Sequence, residues 1–278
     1  AVISGHDETV DLLIDAGADI SVVDSSGRTP VSYAIAESKL QKTRLLLEHG
    51  AEINQQPEHS KFLLYWPIDR GATDIVELVL ASGQLSQREI DKTLGSAISS
   101  NKYEIFLLAL KHGADVNAKF LGGKTPVMLA AEYNSIEMLE LLLDKGADLK
   151  PKNNDGHSVL IVAAQRNRPE IVEILLAKGV DIDERDNDGL TPLMHAASGN
   201  HIKTVEMLLE SGAKLDAMAN NGKTALHYAT NRGRYEVVKL LVDADATVDI
   251  EDQEGMTPIK IAKKWGYKSI KALLKKGR

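Results

Sequence analysis

Five glycines, Gly123, Gly156, Gly189, Gly222 and Gly255, stand 33 residues apart, and each opens a matching segment: Gly-Lys-Thr-Pro, Gly-His-Ser-Val, Gly-Leu-Thr-Pro, Gly-Lys-Thr-Ala and Gly-Met-Thr-Pro. A fixed period of this length constrains the chain more than any single motif, because it means one supersecondary unit copied in series. Extended backwards, the same ruler finds Gly27-Arg28-Thr29-Pro30. A second landmark, Leu-Leu followed by Gly-Ala, recurs at Leu13…Gly17-Ala18, Leu46-Leu47…Gly50-Ala51, Leu142-Leu143…Gly146-Ala147 and Leu208-Leu209…Gly212-Ala213. Related forms stand at Gly113-Ala114 and Gly179-Val180.

Read physically, each unit is a turn followed by two short helices. Asp or Asn before Gly, as in Asp188-Gly189 and Asn221-Gly222, supplies a tight turn in which Gly tolerates positive φ. Thr then caps the first helix, and Pro occupies its first position, where no amide donor is needed. Paired alanines in Pro192-Leu193-Met194-His195-Ala196-Ala197 let that helix pack closely on its neighbour. The second helix, for example Ile171-Val172-Glu173-Ile174-Leu175-Leu176, carries apolar residues at helical spacing and stops at Gly179, a left-handed cap. Neither helix buries its face alone. Stacked units must therefore share one core, with stability summed over units and nearest-neighbour interfaces.

Aromatic residues make up 4% of the 278, so this core must come from small aliphatic side chains repeated many times. Lys and Arg number 33 against 40 Asp and Glu, a net charge of −7, the wrong sign for a protein whose main task is neutralising a phosphate backbone. The absence of cysteine excludes disulfides, thiolate zinc sites, iron–sulfur ligation and a cysteine nucleophile. A reducing, cytoplasmic setting is the expectation. The longest apolar runs, such as Val159-Leu160-Ile161-Val162-Ala163-Ala164, fall far short of the ~20 residues a membrane span requires, and the polar opening stretch is no signal peptide.

Thr224-Ala225-Leu226-His227-Tyr228-Ala229, Thr191-Pro192-Leu193, Thr125-Pro126-Val127 and the Gly-Ala-Asp triplets at 17–19, 113–115 and 146–148 resemble the ankyrin repeat. The nearest rival, the tetratricopeptide repeat, has a period of about 34 residues and aromatic landmarks that are missing here. The resemblance covers essentially the whole chain: a half-unit at 1–24, then turn positions near 27, 60, 90, 123, 156, 189, 222 and 255, about eight repeats. It implies an all-α solenoid of helix-turn-helix units joined by β-turn fingers. One array would span 1–278, with a C-terminal capping repeat at 252–278. It also implies that His227 is structural, bonding backbone in the neighbouring turn, and Asn54 resembles the asparagine hydroxylated in some animal ankyrin repeats.

The pattern breaks at 57–90. Ser60 stands where the turn Gly belongs, and Phe62-Leu63-Leu64-Tyr65-Trp66-Pro67 replaces the capping segment. Pro67 falls mid-course in the expected first helix, where it would cost ~3 kcal/mol, so that helix is expected to kink or start late. Ser86-Gln87-Arg88-Glu89 reads as a capping box, which predicts a longer helix in place of the turn finger. The segment is either drift in a tolerant unit or a hinge or partner-specific notch. The chain opens partway through a unit, with Gly5-His6 resembling the bend between two helices, and reads as a piece of a longer array or multidomain protein. Lys260, Lys263, Lys264, Lys268, Lys271, Lys275, Lys276 and Arg278 crowd the last unit and predict a solvated capping helix.

Catalytic motifs fail on inspection. Gly122-Gly123-Lys124-Thr125 invites a phosphate-loop reading, but that loop needs a glycine where Ala118 stands; Ala217 rejects Gly222-Lys223-Thr224 in the same way. The eight histidines show no metal-ligand spacing, His195 and His201 being six apart. No Gly-x-Ser-x-Gly elbow marks a serine nucleophile. The acid pairs Asp181 and Asp183, and Asp186 and Asp188, fall in connecting turns and are expected to be solvated. The chain reads as a non-enzyme with no cofactor and no metal.

In proteins this chain resembles, partners bind the concave face formed by turn tips and first helices. Transferred by register, that face comprises His59, Lys61, Asp69, Arg70, Lys124, Tyr133, His157, Arg166, Leu190, Lys223, Arg232, Met256 and Trp265. Arg70, Arg166 and Arg232 share one register position and form a candidate basic stripe despite the acidic total. Tyr133 and Trp265 are the anchor candidates, since Tyr, Trp and Arg dominate binding hot spots. The expected function is a non-enzymatic scaffold, a monomeric array that binds a protein or peptide, with acidic partners compatible and nucleic acid excluded. The alternative is the targeting region of a larger enzyme, channel, toxin or secreted effector whose active part lies elsewhere. A third reading places a small molecule or lipid headgroup in a notch at Tyr65, Trp66 and Arg70.

Overall fold

The computed structural model describes residues 2, 5–25, 27–53 and 63–277. Among these residues the regular structure is entirely helical, and it divides into two compact units, residues 1–120 and 121–278. The all-α expectation is met in each, and among the described residues no helix is long and apolar enough to cross a membrane.

The first unit holds α1 (Asp7–Asp15), α2 (Pro30–Ala36), α3 (Leu40–Glu48), α4 (Tyr65–Arg70), α5 (Thr73–Ala81), α6 (Gln87–Ser99) and α7 (Tyr103–Lys111). Thr29 caps α2 by accepting the Ser32 amide, with Pro30 at the first position. α4 starts late, at Tyr65, so Pro67 falls in the first turn, where its missing N–H is one of the donors any helix leaves unpaired. The mid-helix proline cost is thereby avoided. α6, 13 residues long, replaces the finger expected near position 90. At its start the Glu89 carboxylate accepts from both the amide (2.8 Å) and the hydroxyl (2.7 Å) of Ser86. Gly95 admits the Phe120 ring, since a Cβ there would stand 2.8 Å from Phe120 Cζ. Asn54, Ser60 and Phe62 lie outside the described residues.

The second unit repeats one helix pair in strict register: α8 (Pro126–Tyr133) with α9 (Ile136–Asp144), α10 (Val159–Gln165) with α11 (Pro169–Ala177), α12 (Pro192–Gly199) with α13 (Ile202–Glu210), α14 (Ala225–Asn231) with α15 (Tyr235–Asp243), and α16 (Pro258–Lys264) with α17 (Lys268–Lys276). Ser158, Thr191 and Thr257 cap their helices by accepting the amides of Ile161, Met194 and Lys260. Thr125 takes the capping backbone conformation without the side-chain bond. The bends between paired helices, at Asn134, Asn167, Asn200, Gly233 and Gly266, all have positive φ, the left-handed region that Asn and Gly tolerate. The second helices α9, α11, α13 and α15 bury the same three positions: Met138, Leu139 and Leu142; Ile171, Val172 and Leu175; Thr204, Val205 and Leu208; Val237, Val238 and Leu241. Each large aliphatic side chain among them contributes about 1.5–3 kcal/mol on full burial. The paired alanines Ala130-Ala131, Ala163-Ala164 and Ala196-Ala197 are completely buried, which brings neighbouring first helices close. In α17 only Ile270 and Leu274 are buried, while Lys268, Lys275 and Lys276 face solvent.

Successive fingers of this unit are bonded to one another. Asn154 N donates to Gly122 O (2.8 Å), Asn187 N to Asp155 O (3.3 Å), Asn220 N to Asp188 O (3.0 Å) and Gln253 N to Asn221 O (3.1 Å). A side-chain ladder runs beside it: Asn187 Nδ2 to Asn154 O (3.0 Å), Asn220 Nδ2 to Asn187 O (3.1 Å) and Gln253 Nε2 to Asn220 O (2.7 Å). The finger glycines are thus required twice. Gly156 has φ +79°, and a Cβ on it would stand 2.6 Å from Asn187 N in the next finger.

Candidate functional site

Five positions 33 residues apart close the first helices of the second unit: Tyr133, Arg166, Gly199, Arg232 and Trp265. All five are exposed, with Tyr133 at 49% and Trp265 at 55%. The register that carries the arginines therefore also carries both aromatic anchors. Two of these side chains, Arg166 and Trp265, are held by the preceding repeat. Arg166 reaches Glu132 Oε1 at 2.5 Å, and Trp265 Nε1 donates to Asn231 Oδ1 at 3.0 Å. Two positions further along, the second-helix N-caps reach back in the same way: Arg168 Nη2 to Glu132 O, His201 Nε2 to Gln165 O and Arg234 Nε to Ser198 O.

The stripe is less basic than its sequence implies. Glu132 is shared between Arg166 and Lys124, whose Nζ lies 2.6 Å from its second oxygen. Burial pushes the Glu132 carboxyl up, but the hydrogen bond and charge of Lys124 and then those of Arg166 outweigh it, holding the group below its ordinary value. Arg70, in the first unit, donates to Ala36 O at 2.7 Å, and its guanidinium lies 5.8 Å from the centre of the Trp66 ring. Trp66 in turn meets Tyr65 edge to face at 5.1 Å. Asp69 is exposed beside Arg70 on α4, while His59 and Lys61 lie outside the described residues.

Five positions of the expected binding face are half-buried: Lys124, His157, Leu190, Lys223 and Met256. Each directly follows a finger glycine. For two of them the covering group is an aspartate three residues before the next finger glycine: His157 Nε2 lies 3.6 Å from Asp186 Oδ2, and Lys223 Nζ 3.7 Å from Asp252 Oδ2. The expectation that turn carboxylates are solvated is accordingly corrected at Asp183 and Asp186, whose side chains are 16% and 4% exposed. Asp183 accepts the Lys214 amide at 2.9 Å. Asp186 Oδ1 accepts the amides of Asp188 (2.9 Å) and Leu190 (2.8 Å), and its Oδ2 accepts from His195 Nε2 at 2.8 Å.

The reading of the histidines as lacking any metal-like grouping is corrected here as well. Finger stacking brings His157, Asp186 and His195 together, with their ligand atoms all within 4.8 Å of one another. The two imidazoles meet edge to face at 5.1 Å. Burial, then the neighbouring His195, lowers the His157 pKa against the opposing pull of Asp186, Asp155 and Asp188. His157 and Asp186 are 29 residues apart, so no local spacing signals the group; only the alignment of one finger on the next does.

His227 behaves as the family resemblance implies. It is fully buried; its Nδ1 accepts from Thr224 N at 3.2 Å and its Nε2 donates to Met256 O at 3.0 Å in the next finger. Burial lowers its pKa, outweighing the backbone acceptor and Asp252. Burial likewise lowers His201, against the pull of the Gln165 carbonyl.

A family model described as ankyrin repeats (three copies) matches the chain over residues 1–93, 85–153, 150–219 and 215–278. An 84-residue stretch is 39% identical to the mouse B-cell lymphoma 3 protein homolog, covering 30% of this chain and 19% of that protein. A 122-residue stretch is 29% identical to mouse ankyrin repeat and SOCS box protein 14, covering 41% of this chain and 21% of that protein. Eighty residues are 34% identical to the transient receptor potential cation channel subfamily A member 1 homolog of Caenorhabditis elegans, or 29% of this chain and 6% of the channel. The matches to the first two relatives span only about a fifth of their length (19% and 21%).

Proposed function

This chain belongs to the ankyrin-repeat family, and from that premise we propose that it docks a protein or peptide partner on the first-helix ends of its second unit and catalyses no reaction. Ankyrin repeats mediate protein–protein interaction, so the question specific to this chain is where and with what chemistry. The observation that carries the reading is the row of Tyr133, Arg166, Arg232 and Trp265, exposed at one register position. Aromatic and arginine side chains are the groups that dominate measured hot spots, and here they stand on helix ends fixed from behind by buried alanines. Nearby positions on the same face are Lys124, His157, Leu190, Lys223 and Met256, which serve as a half-buried floor. Because Glu132 already accompanies Arg166, an acidic group of the partner is expected to meet Arg232.

The test is a titration of a partner captured with the intact chain. Replacing Tyr133, Arg166 and Arg232 together by Ala removes two or three hot spots of about 2 kcal/mol each, so affinity should fall at least ~100-fold. Thermal unfolding should move little, since all three are surface positions. An unchanged dissociation constant would overturn the assignment of the face.

A second reading keeps the same face but places it in a larger protein, as its targeting region. It is favoured by the relatives, which include a cation channel of which the match covers 6%. The coding sequence around residues 1–278 decides it: repeats alone would count against a linked enzyme, channel, toxin or effector.

A further inference from the structure

Two imidazoles and one carboxylate converge in the second unit. Elsewhere the same two contacts are made by other chemistry. The residue after the finger glycine meets the next aspartate as Lys223 with Asp252, at 3.7 Å. The sixth residue after the finger glycine meets the aspartate three before it as Tyr33 Oη with Asp24 Oδ2, at 2.9 Å. At Asp186 both contacts are made by histidine, so a single oxygen faces two Nε2 atoms, at 2.8 Å from His195 and 3.6 Å from His157. Lysine and tyrosine thus make the equivalent contacts elsewhere in the chain. The other oxygen of Asp186 accepts the amides of Asp188 and Leu190, as that of Asp252 accepts those of Glu254 and Met256, and leaves Oδ2 presented to the pair.

From this geometry we propose that His157 Nε2, His195 Nε2 and Asp186 Oδ2 form a site for a divalent first-row transition-metal ion of the Zn2+ class. Zinc binds imidazole nitrogen and carboxylate oxygen at about 2.0–2.2 Å, which puts tetrahedral ligands about 3.3 Å apart. The two nitrogen-to-oxygen spacings, 3.6 and 2.8 Å, bracket that value, and the ligand atoms of all three residues lie within 4.8 Å of one another. A set of two nitrogens and one oxygen selects Zn2+, Co2+, Ni2+ or Cu2+ over the oxygen-seeking Ca2+ and Mg2+. The His157 and His195 side chains are 14% and 11% exposed, and that of Asp186 is 4% exposed. Because His157 sits on one finger, and Asp186 and His195 belong to the next repeat, the ion would tie successive repeats together.

The experiment is calorimetric titration of the chelator-treated full chain with Zn2+, paired with the visible absorption of bound Co2+ and with thermal unfolding. One site is expected, with an unfolding midpoint raised by several degrees at saturating zinc. His157→Ala and His195→Ala should each weaken binding ~10–100-fold or more. Asp186→Asn keeps the oxygen that accepts the turn amides and should weaken binding in the same way. His157→Ala leaves the His195–Asp186 bond in place, so it carries the test even where His195→Ala compromises folding. A second cluster, Asp11, Asp15 and His49, is exposed on the first unit, and His49→Ala should leave the zinc isotherm unchanged. The proposal fails if the His157→Ala/His195→Ala double variant binds zinc as the parent does. It fails equally if binding follows His49, or if no binding is seen at about 100 μM zinc, an affinity range in which a three-ligand site must register.

Discussion

Both units are built from the same helix pair, yet they differ in what occupies the finger register. In the second unit that register reads Gly123, Gly156, Gly189 and Gly222, and the next finger lies directly against each glycine. In the first unit the corresponding position 90 is isoleucine, and the backbone there is part of α6 instead of a finger. The difference teaches that the glycine period is a record of close approach between neighbours as well as of turn geometry. Where the next finger must touch, only Gly fits. Where a helix takes the finger's place, a β-branched residue and a capping box do the same job of entering the repeat.

The contrast breaks first at glycine. Gly156→Ala places a Cβ 2.6 Å from Asn187 N at φ +79°, whereas Gly83→Ala, in the first unit at φ +69°, meets nothing within 4 Å. Both substitutions cost the left-handed penalty of about 1–2 kcal/mol, and Gly156→Ala should cost about 2 kcal/mol more on top. Urea unfolding of the two variants measures the gap; equal costs would mean the fingers are not in contact.

Next comes His227, buried in the second unit between Thr224 and Met256. His227→Ala leaves a buried amide and carbonyl unpaired and should destabilise by about 2 kcal/mol. Its pKa and that of His201 are lowered by burial, so the unfolded chain binds protons that the native chain refuses. Stability therefore holds above pH about 6.5 and falls as pH drops below it, toward the lowered native values. His227→Gln should flatten that acid limb, which unfolding midpoints at pH 7.5 and 5.5 would record. An unchanged limb would mean the histidine is better solvated than its contacts imply.

The smallest expected effect lies in the first unit. Ser86→Ala removes the hydroxyl half of the α6 capping box and should cost about 1 kcal/mol. The loss should appear as faster hydrogen exchange in 87–99 and leave the fingers of 121–278 unaffected.

Much of this was legible in the sequence because the repeat reports local chemistry. The period, the Thr-Pro helix starts, the glycine stops, the late start of α4 just before Pro67 and the capping box at Ser86 all depend on residues within one turn of each other. His227 was legible through the family resemblance. What depends on stacking was not. The Asn154, Asn187, Asn220 and Gln253 ladder, the cover over His157 and Lys223, and the burial of Asp183 and Asp186 each need the next repeat in place. Their signal is present, at positions six, three and two before and one after finger glycines, but it appears only when adjacent repeats are aligned against each other. At the candidate docking row, register alone placed Arg166 with Arg232; it could not show that Glu132 already holds Arg166.

The docking claim is met most directly by hydrogen–deuterium exchange of the chain with and without its captured partner. Protection should gather at the first-helix ends and fingers of residues 121–278, around Tyr133, Arg166, Arg232 and Trp265. Protection confined to residues 1–120, with those four segments exchanging as in the free chain, would contradict it.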